Sequence, residues 1–257
     1  MMNLKMTVAA LAIVVSGAAQ AAVVDTPVDV ELALGIDVSG SVNATEYALQ
    51  LGGYVGAFNN PTIQASILSM ANGRLGKTAA MLYQWSSASQ QVVSVGWTLL
   101  DSNAAITAFA TNIQAVIRAF ASTTAVGNAI AFGSAQFAAN GFDGLKQVID
   151  ISGDGEQNAG IDTSDARDAA LASGIDRING IAIGPAALLT FYEDNVIGGT
   201  DSFALQAANF ADFETAITRK LKAEITGGPP TIPLPAAGWM MIAAIGGLAA
   251  LRRRKAA

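Results

Sequence analysis

The chain has 257 residues, of which only 13% are charged, with 14 Lys and Arg against 20 Asp and Glu. It contains no Cys and no His, which removes disulfides, zinc-type sites and every nucleophile–histidine catalytic arrangement together. Lys5 lies near the N-terminus and Arg252, Arg253, Arg254 and Lys255 lie at the other end, so the body between them carries nine bases against all 20 acids, a net charge near −11. That balance argues against nucleic acid or anionic lipid as a partner and is compatible with cation binding.

After Lys5, an apolar run over 6–16 leads to Ala19-Gln20-Ala21, a small-x-small pattern that predicts a signal peptide over 1–21 with Ala22 as the first mature residue. Residues 28–36 read as a mostly apolar strand. Residues 43–58 have helical spacing, with Tyr47, Leu51, Tyr54 and Phe58 near one face, and Asn43 with Glu46 fits a capping pattern at the start. Strands are expected over 78–85 and 91–97, paired as a hairpin across 86–89, followed by helices over 104–120 and 125–138. A short buried strand over 147–152 lies between Gly144 and Gly153. A helix over 164–172 follows, with Asp162 or Thr163 as its cap, then a buried strand over 178–183. A last strand near 202–205 leads into a helix over 212–225. Gly227-Gly228-Pro229-Pro230 is a breaker cluster that ends the body. Beyond a stiff proline-containing lead-in, residues 236–251 carry no charge and precede the basic cluster. At ~1.5 Å per residue this stretch covers about 24 Å of a ~30 Å hydrocarbon core, a short transmembrane segment with its basic end cytoplasmic.

Strands alternating with helices over 22–228 imply one α/β domain. Its sheet is doubly wound and mainly parallel, flanked by helices in a Rossmann-like arrangement. In such sheets ligands bind at the carboxyl ends of the strands.

The first strand ends in Gly35-Ile36-Asp37-Val38-Ser39-Gly40-Ser41. Asp37, Ser39 and Ser41 alternate with apolar or small residues, so a tight loop can turn all three to one side. They offer only oxygen, which suits a hard cation such as Mg²⁺ or Ca²⁺. One carboxylate and two hydroxyls are too few for a tight site, and two other junctions supply candidates: Thr123-Thr124-Ala125-Val126-Gly127, and Ser152-Gly153-Asp154-Gly155. Alone, Asp-x-Ser-x-Ser is more often a turn or a helix cap. Asp150, Glu156 and Asp162 read as caps or solvated surface, and Trp85, Trp97 and the phenylalanines as core.

Together, the Asp37-x-Ser39-x-Ser41 loop, Thr124 and Asp154 resemble the metal-ion-dependent adhesion site of von Willebrand type A domains. Trp97-Thr98-Leu99, Thr124-Ala125-Val126-Gly127, the run from Val148 to Gly155, Asn195-Val196-Ile197-Gly198-Gly199 and Phe210-Ala211-Asp212-Phe213 are similar to a bacterial subfamily of that superfamily, the domain of unknown function 1194. The resemblance implies that Ser39 and Ser41 bind the metal directly and that Asp37 and Asp154 act through water. Thr124 would enter when ligand binds. The implied metal is Mg²⁺, with Mn²⁺ or Ca²⁺ as alternatives, and the open position would take a carboxylate from a protein or polymer partner. Two departures stand out. Ser122 and Thr123 replace the usual Gly before the Thr, so Thr123 could compete with Thr124, and Asn128 stands where the family often has Asp.

The tail, Ile232-Pro233-Leu234-Pro235-Ala236-Ala237-Gly238-Trp239 with its apolar stretch and arginines, resembles the sorting signals of Gram-negative bacteria that carry exosortases (PEP-CTERM-like, of the Val-Pro-Leu-Pro-Ala kind). This implies a membrane protease that cuts near the motif and a body that reaches the cell surface; a permanent tail anchor would have the same layout. The leading reading is an exported binding module for adhesion at the cell surface or in extracellular matrix, and not an enzyme. An Asp-based phosphatase would need a second carboxylate two residues after Asp37, where Ser39 stands, and no Walker loop is present. The alternatives are a structural envelope or matrix component and a Mg²⁺-dependent hydrolase.

Overall fold

The computed structural model describes residues 25–228. The expected signal peptide over 1–21 and the tail over 229–257 lie outside the described residues. Among the described residues, no helix is long and apolar enough to cross a membrane.

The expected first strand is two. β1 (Thr26–Val28) and β2 (Val30–Asp37) are separated at Asp29, whose carboxylate accepts the backbone N–H groups of Leu75, Gly76 and Lys77. Its own N–H donates to the Lys77 carbonyl, so Asp29 is tied by side chain and backbone to the segment over 75–77. β2 is buried along its whole length, as the central strand of a parallel sheet must be. Helix α1 (Ala44–Asn59) begins with the expected capping box, in which the Asn43 side chain accepts from the Glu46 N–H and the Glu46 side chain accepts from the Asn43 N–H. Its buried face holds Tyr47, Leu51, Tyr54 and Phe58, as the spacing predicts. A short helix, α2 (Pro61–Ile67), follows at once; its Pro sits at the first helical turn, where it is tolerated, and it lies outside the helices expected from sequence.

β3 (Thr78–Trp85) and β4 (Gln91–Leu100) form the expected antiparallel hairpin. Helix α3 (Asn103–Gln114) is shorter than the expected span over 104–120. Past Gln114 the side chain of Gln84 captures the chain, donating to the Ile117 carbonyl and accepting from the Ala119 N–H. After α4 (Val126–Ala135), the short β5 (Phe142–Gly144) pairs in parallel with β1, away from the main sheet. β6 (Gln147–Gly153), α5 (Thr163–Ala172, capped by Asp162) and β7 (Arg177–Ile183) match expectation closely. The stretch to the last strand holds α6 (Ala186–Phe191), a π-helical turn over Tyr192–Val196 and the two-residue β8 (Gly198–Gly199). β9 (Ala204–Ala207) falls two residues later than expected, and α7 (Phe213–Thr226) ends at Gly227 in the left-handed region.

The seven-stranded sheet runs β4-β3-β2-β6-β7, with β8 and β9 sharing the outer side of β7. β2, β3, β6, β7 and β9 are parallel. One apolar cluster fills the face under α1, α2, α3 and α7, with Phe58, Phe109 and Phe213 at its centre. A second fills the face under α4, α5 and α6 around Tyr83, Trp85 and Tyr192. Helices on both faces of a mostly parallel sheet make this the doubly wound α/β fold expected from sequence. Trp85 is core as expected, while Trp97 is only half-buried, edge-on to Phe137.

One expectation fails on burial. Asp150 is not a cap or a surface group but is fully buried. Lys220 of α7 brings its Nζ to 2.8 Å from Oδ2 of Asp150 and 2.5 Å from Oε1 of Glu224. An acid can be buried in mid-strand only if a cation comes to it, and this one arrives from 70 residues away.

Candidate metal site

Asp37 is the last residue of β2, and its carboxylate is wholly buried. Oδ1 accepts the Ser39 N–H at 2.7 Å, which curls the loop and turns Ser39 and Ser41 the same way. Their hydroxyls are 3.2 Å apart. Ser41 then donates to Oδ1 of Asp154 at 2.6 Å, joining the ends of the adjacent strands β2 and β6. The Gly40 N–H donates to the Ser122 carbonyl at 2.6 Å, which brings in the third segment.

Thr124 is buried and Thr123 is exposed. The Thr124 N–H donates to the Asn158 side chain, and its carbonyl accepts the N–H groups of Asn158 and Ala159. Its side chain lies against Gly155, where a Cβ would be 3.6 Å from Oγ1. All five residues expected to form the site therefore gather at the carboxyl edge of the sheet, and of the two threonines it is Thr124 that turns inward. Asn128 is occupied elsewhere, accepting from the Ile161 N–H and donating to the Ala88 carbonyl.

The electrostatics of the cluster favour a cation. Burial pushes the Asp37 carboxyl up to about 7; the Ser39 amide opposes this and the negative charge of Asp154 adds to it. Asp154 is raised as well, by burial first and then by Glu46, against the Ser41 hydrogen bond and the charge of Arg118. Oδ2 of Asp37 has no hydrogen-bond partner. Two neighbouring acids held at elevated pKa, one with a buried free oxygen, are the condition that a divalent ion relieves. Among the described residues no three acidic side chains converge, so the donors are two carboxylates and the hydroxyls of Ser39, Ser41 and Thr124. An all-oxygen, mostly neutral set fits a hard cation that keeps part of its water.

Two neighbours of the cluster lie outside the expected set. Arg118 donates to the carbonyls of Val38, Ser39 and Phe120, which braces the loop beneath the site. Tyr192 packs its ring against Gly180 and its hydroxyl against Gly153; glycines at those two strand positions were the one available hint. A groove of about 800 Å³ between α4 and α5 is lined by alanines together with Phe137, Ile161, Asp162 and Asp165, and none of the five expected site residues lines it.

The model of a family described as "Protein of unknown function (DUF1194)" matches residues 27–229. No curated protein matches the chain. Among solved structures, the chain is similar to proximal thread matrix protein 1 from the mussel byssus with a zinc-occupied MIDAS motif, at 17% identity and a TM-score of 0.55, over 78% of this chain and 48% of that one. It is also similar to the pilus adhesin SpaC from Lactobacillus rhamnosus GG, at 14% identity and a TM-score of 0.54, over 77% of this chain and 30% of that one. A third is BatB from Bacteroides thetaiotaomicron, at 13% identity and a TM-score of 0.51, over 77% of this chain and 100% of that one. The chain thus spans about half the length of the mussel structure or less of the longer ones, and at these identities the likeness is one of fold.

Proposed function

The chain belongs to the DUF1194 family and has a von Willebrand type A-like fold, and from that premise we propose that it is a metal-dependent adhesion module. Asp37, Ser39, Ser41, Thr124 and Asp154 would hold a divalent cation, Mg²⁺ in the cell. The observation that carries this reading is the 2.6 Å bond from Ser41 to Asp154 beside the unpartnered, buried Oδ2 of Asp37. A hydroxyl bond across two strand ends assembles an oxygen cluster that leaves one acid oxygen unanswered. When bound, the cation would supply a positive bridge to an oxygen ligand of the partner, a carboxylate by preference. The chain's own residues would fix the geometry of that bridge and take no part in breaking bonds.

The mussel neighbour is named as a matrix protein with zinc in its MIDAS motif and SpaC as an adhesin, and both names support a binding role over an enzymatic one. On this reading the protein is exported, with residues 1–21 removed. It is tethered by 236–251 until a sorting protease acts on the tail, and then works at the cell surface or in extracellular matrix. A matrix component in which the metal only stiffens the loop is the second reading, supported by the name of the mussel protein. Calorimetric titration of Mg²⁺ into the protein tests the proposal: one saturable site, lost in Asp37→Ala, is expected. Wild-type protein that takes up no Mg²⁺, Mn²⁺ or Ca²⁺ would sink it.

A further inference from the structure

Tyr192 opens the π-helical turn that follows α6. Such turns are rare and concentrate at functional positions, because the extra residue re-aims a side chain. Here the ring lies across two glycines on neighbouring strands. A Cβ at Gly180 in β7 would stand 2.5 Å from Cδ1 of Tyr192, and a Cβ at Gly153 in β6 would stand 2.7 Å from its Oη. Any larger residue at either position would displace the ring. The path ends at the cation cluster, since the same Cβ at Gly153 would stand 2.8 Å from Oδ2 of Asp37.

Tyr192 is fully buried, yet its hydroxyl has no hydrogen-bond partner, and neither has Oδ2 of Asp37. Leaving a hydroxyl and a carboxylate oxygen unpaired in the interior is unfavourable, and phenylalanine would fill the same space without that burden. Two orphaned polar atoms converging on one glycine are explained by a bond that forms in another state of the site. A tyrosine hydroxyl can donate as well as accept, whereas a carboxylate oxygen only accepts, so the two atoms are complementary.

Resting on the metal-binding reading above, we propose that Tyr192 is a positioning residue for the cation: its hydroxyl donates to Oδ2 of Asp37, directly or through one water, when the ion is bound. The partner of a ligating group fixes that group's orientation and contributes to metal affinity without touching the metal. Tyr192 would thus couple the π-helical turn, and α6 before it, to occupancy of the site.

The test is Mg²⁺ titrated calorimetrically into the full-length chain, wild type and Tyr192→Phe, with thermal melts of both in chelator. The expected result is a dissociation constant about tenfold weaker in the variant, together with a metal-free melting temperature that is unchanged or raised. A tyrosine that only filled space would leave the affinity where it was. Equal affinity in the two proteins therefore overturns the proposal while the cation site stands. Wild-type protein that binds no Mg²⁺ removes the cation site itself, and this inference with it. Ultraviolet resonance Raman on the wild-type chain needs no variant: adding Mg²⁺ to chelated protein should shift the tyrosine doublet that reports hydroxyl hydrogen bonding. An unmoved doublet overturns the proposal even if Tyr192→Phe fails to fold.

Discussion

Strand β6 buries one acid beneath the sheet and ends beside another at its rim, and the two are compensated in different ways. Asp150 is enclosed by α1 and α7, where Lys220 stands 2.8 Å from one acid and 2.5 Å from a second, Glu224, which also accepts from Asn179. Asp154, beyond the end of the strand, shares its cluster with Asp37, and among the described residues no ion pair reaches either one. The first group carries its cation as a side chain. The second has an amide and hydroxyls around its acids and, among the described residues, no cationic side chain within ion-pair distance. Buried acids need a positive charge near them, and the difference between the clusters is whether the chain supplies it permanently or leaves it to the solvent. A permanent cation serves stability; an exchangeable one can also bind something else.

The largest expected effect breaks the first cluster. Above about pH 7, where Asp150 is ionised, Lys220→Met would leave Asp150 and Glu224 uncompensated in the interior, and losing one partner of a buried pair costs about 3–5 kcal/mol. Denaturant unfolding should show a drop of that size, with no recovery on adding Mg²⁺, because the hole lies under the sheet and not at its rim. A loss smaller than about 1 kcal/mol would mean that the acids are already neutral and that the contrast is false.

Next comes the exchangeable cation. Saturating Mg²⁺ at a hundredfold excess over its dissociation constant should stabilise the wild-type fold by about 2.7 kcal/mol. Asp37→Ala should abolish that gain while leaving the chelated protein no less stable, since it removes a buried acid that lacks a cation. Thermal melts with and without chelator measure both halves.

The same contrast explains what could be read from the sequence. Part of the rim cluster was legible from local spacing: Asp37, Ser39 and Ser41 lie within one loop, Asp154 follows a buried strand and Thr124 precedes a helix, while their grouping into one site rested on the family resemblance. A mainly parallel sheet covered by helices on both faces followed from the alternation of strand-like and helix-like segments; the order of its strands did not, and is seen only in the structure. Asp150 was not legible, since nothing near it in the chain announces Lys220. The end of α3 depends likewise on Gln84, a side chain from β3 that intercepts the backbone at Ile117 and Ala119. Tyr192 reads as one more aromatic in an apolar stretch until its turn is seen to be π-helical. What the sequence hides is set by partners that are distant along the chain.

A smaller effect separates the clusters by pH. Burial chiefly pushes the Asp150 carboxyl up to about 7; Lys220 pulls it down and Glu224 pushes it up. Between its ordinary value of 3.8 and about 7, the folded chain therefore holds a proton that the unfolded chain has released. Stability falls with pH wherever the folded state binds more protons. This contribution is thus full below about pH 4, declines as pH rises to about 7, and is flat beyond. Asp37 adds a slope of the same sign when no metal is bound, so the measurement belongs in chelator on the Asp37→Ala protein. There, Asp150→Asn should flatten what slope remains across pH 4–7, and a slope that persists unchanged would assign the proton to another group.

The smallest expected effect is a pair of single-residue changes at the rim, which decides how the exchangeable cation is held. Thr123 and Thr124 are adjacent and chemically identical, and the resemblance to known adhesion sites left room for either. Packing separates them. Thr124 is buried, its backbone is tied on both sides to Asn158, and its side chain lies against Gly155 next to Asp154. Thr123 is exposed, and only its carbonyl is engaged, by the Ser86 hydroxyl. Thr124→Val keeps the shape and deletes one oxygen donor, so Mg²⁺ affinity should fall while the metal-free fold changes little. Thr123→Val should alter neither, staying within about 0.5 kcal/mol as surface substitutions do. If the affinity loss appeared at Thr123 instead, the loop would have to rotate when the ion binds, and the metal-free arrangement of the rim would be a resting state rather than a preformed site.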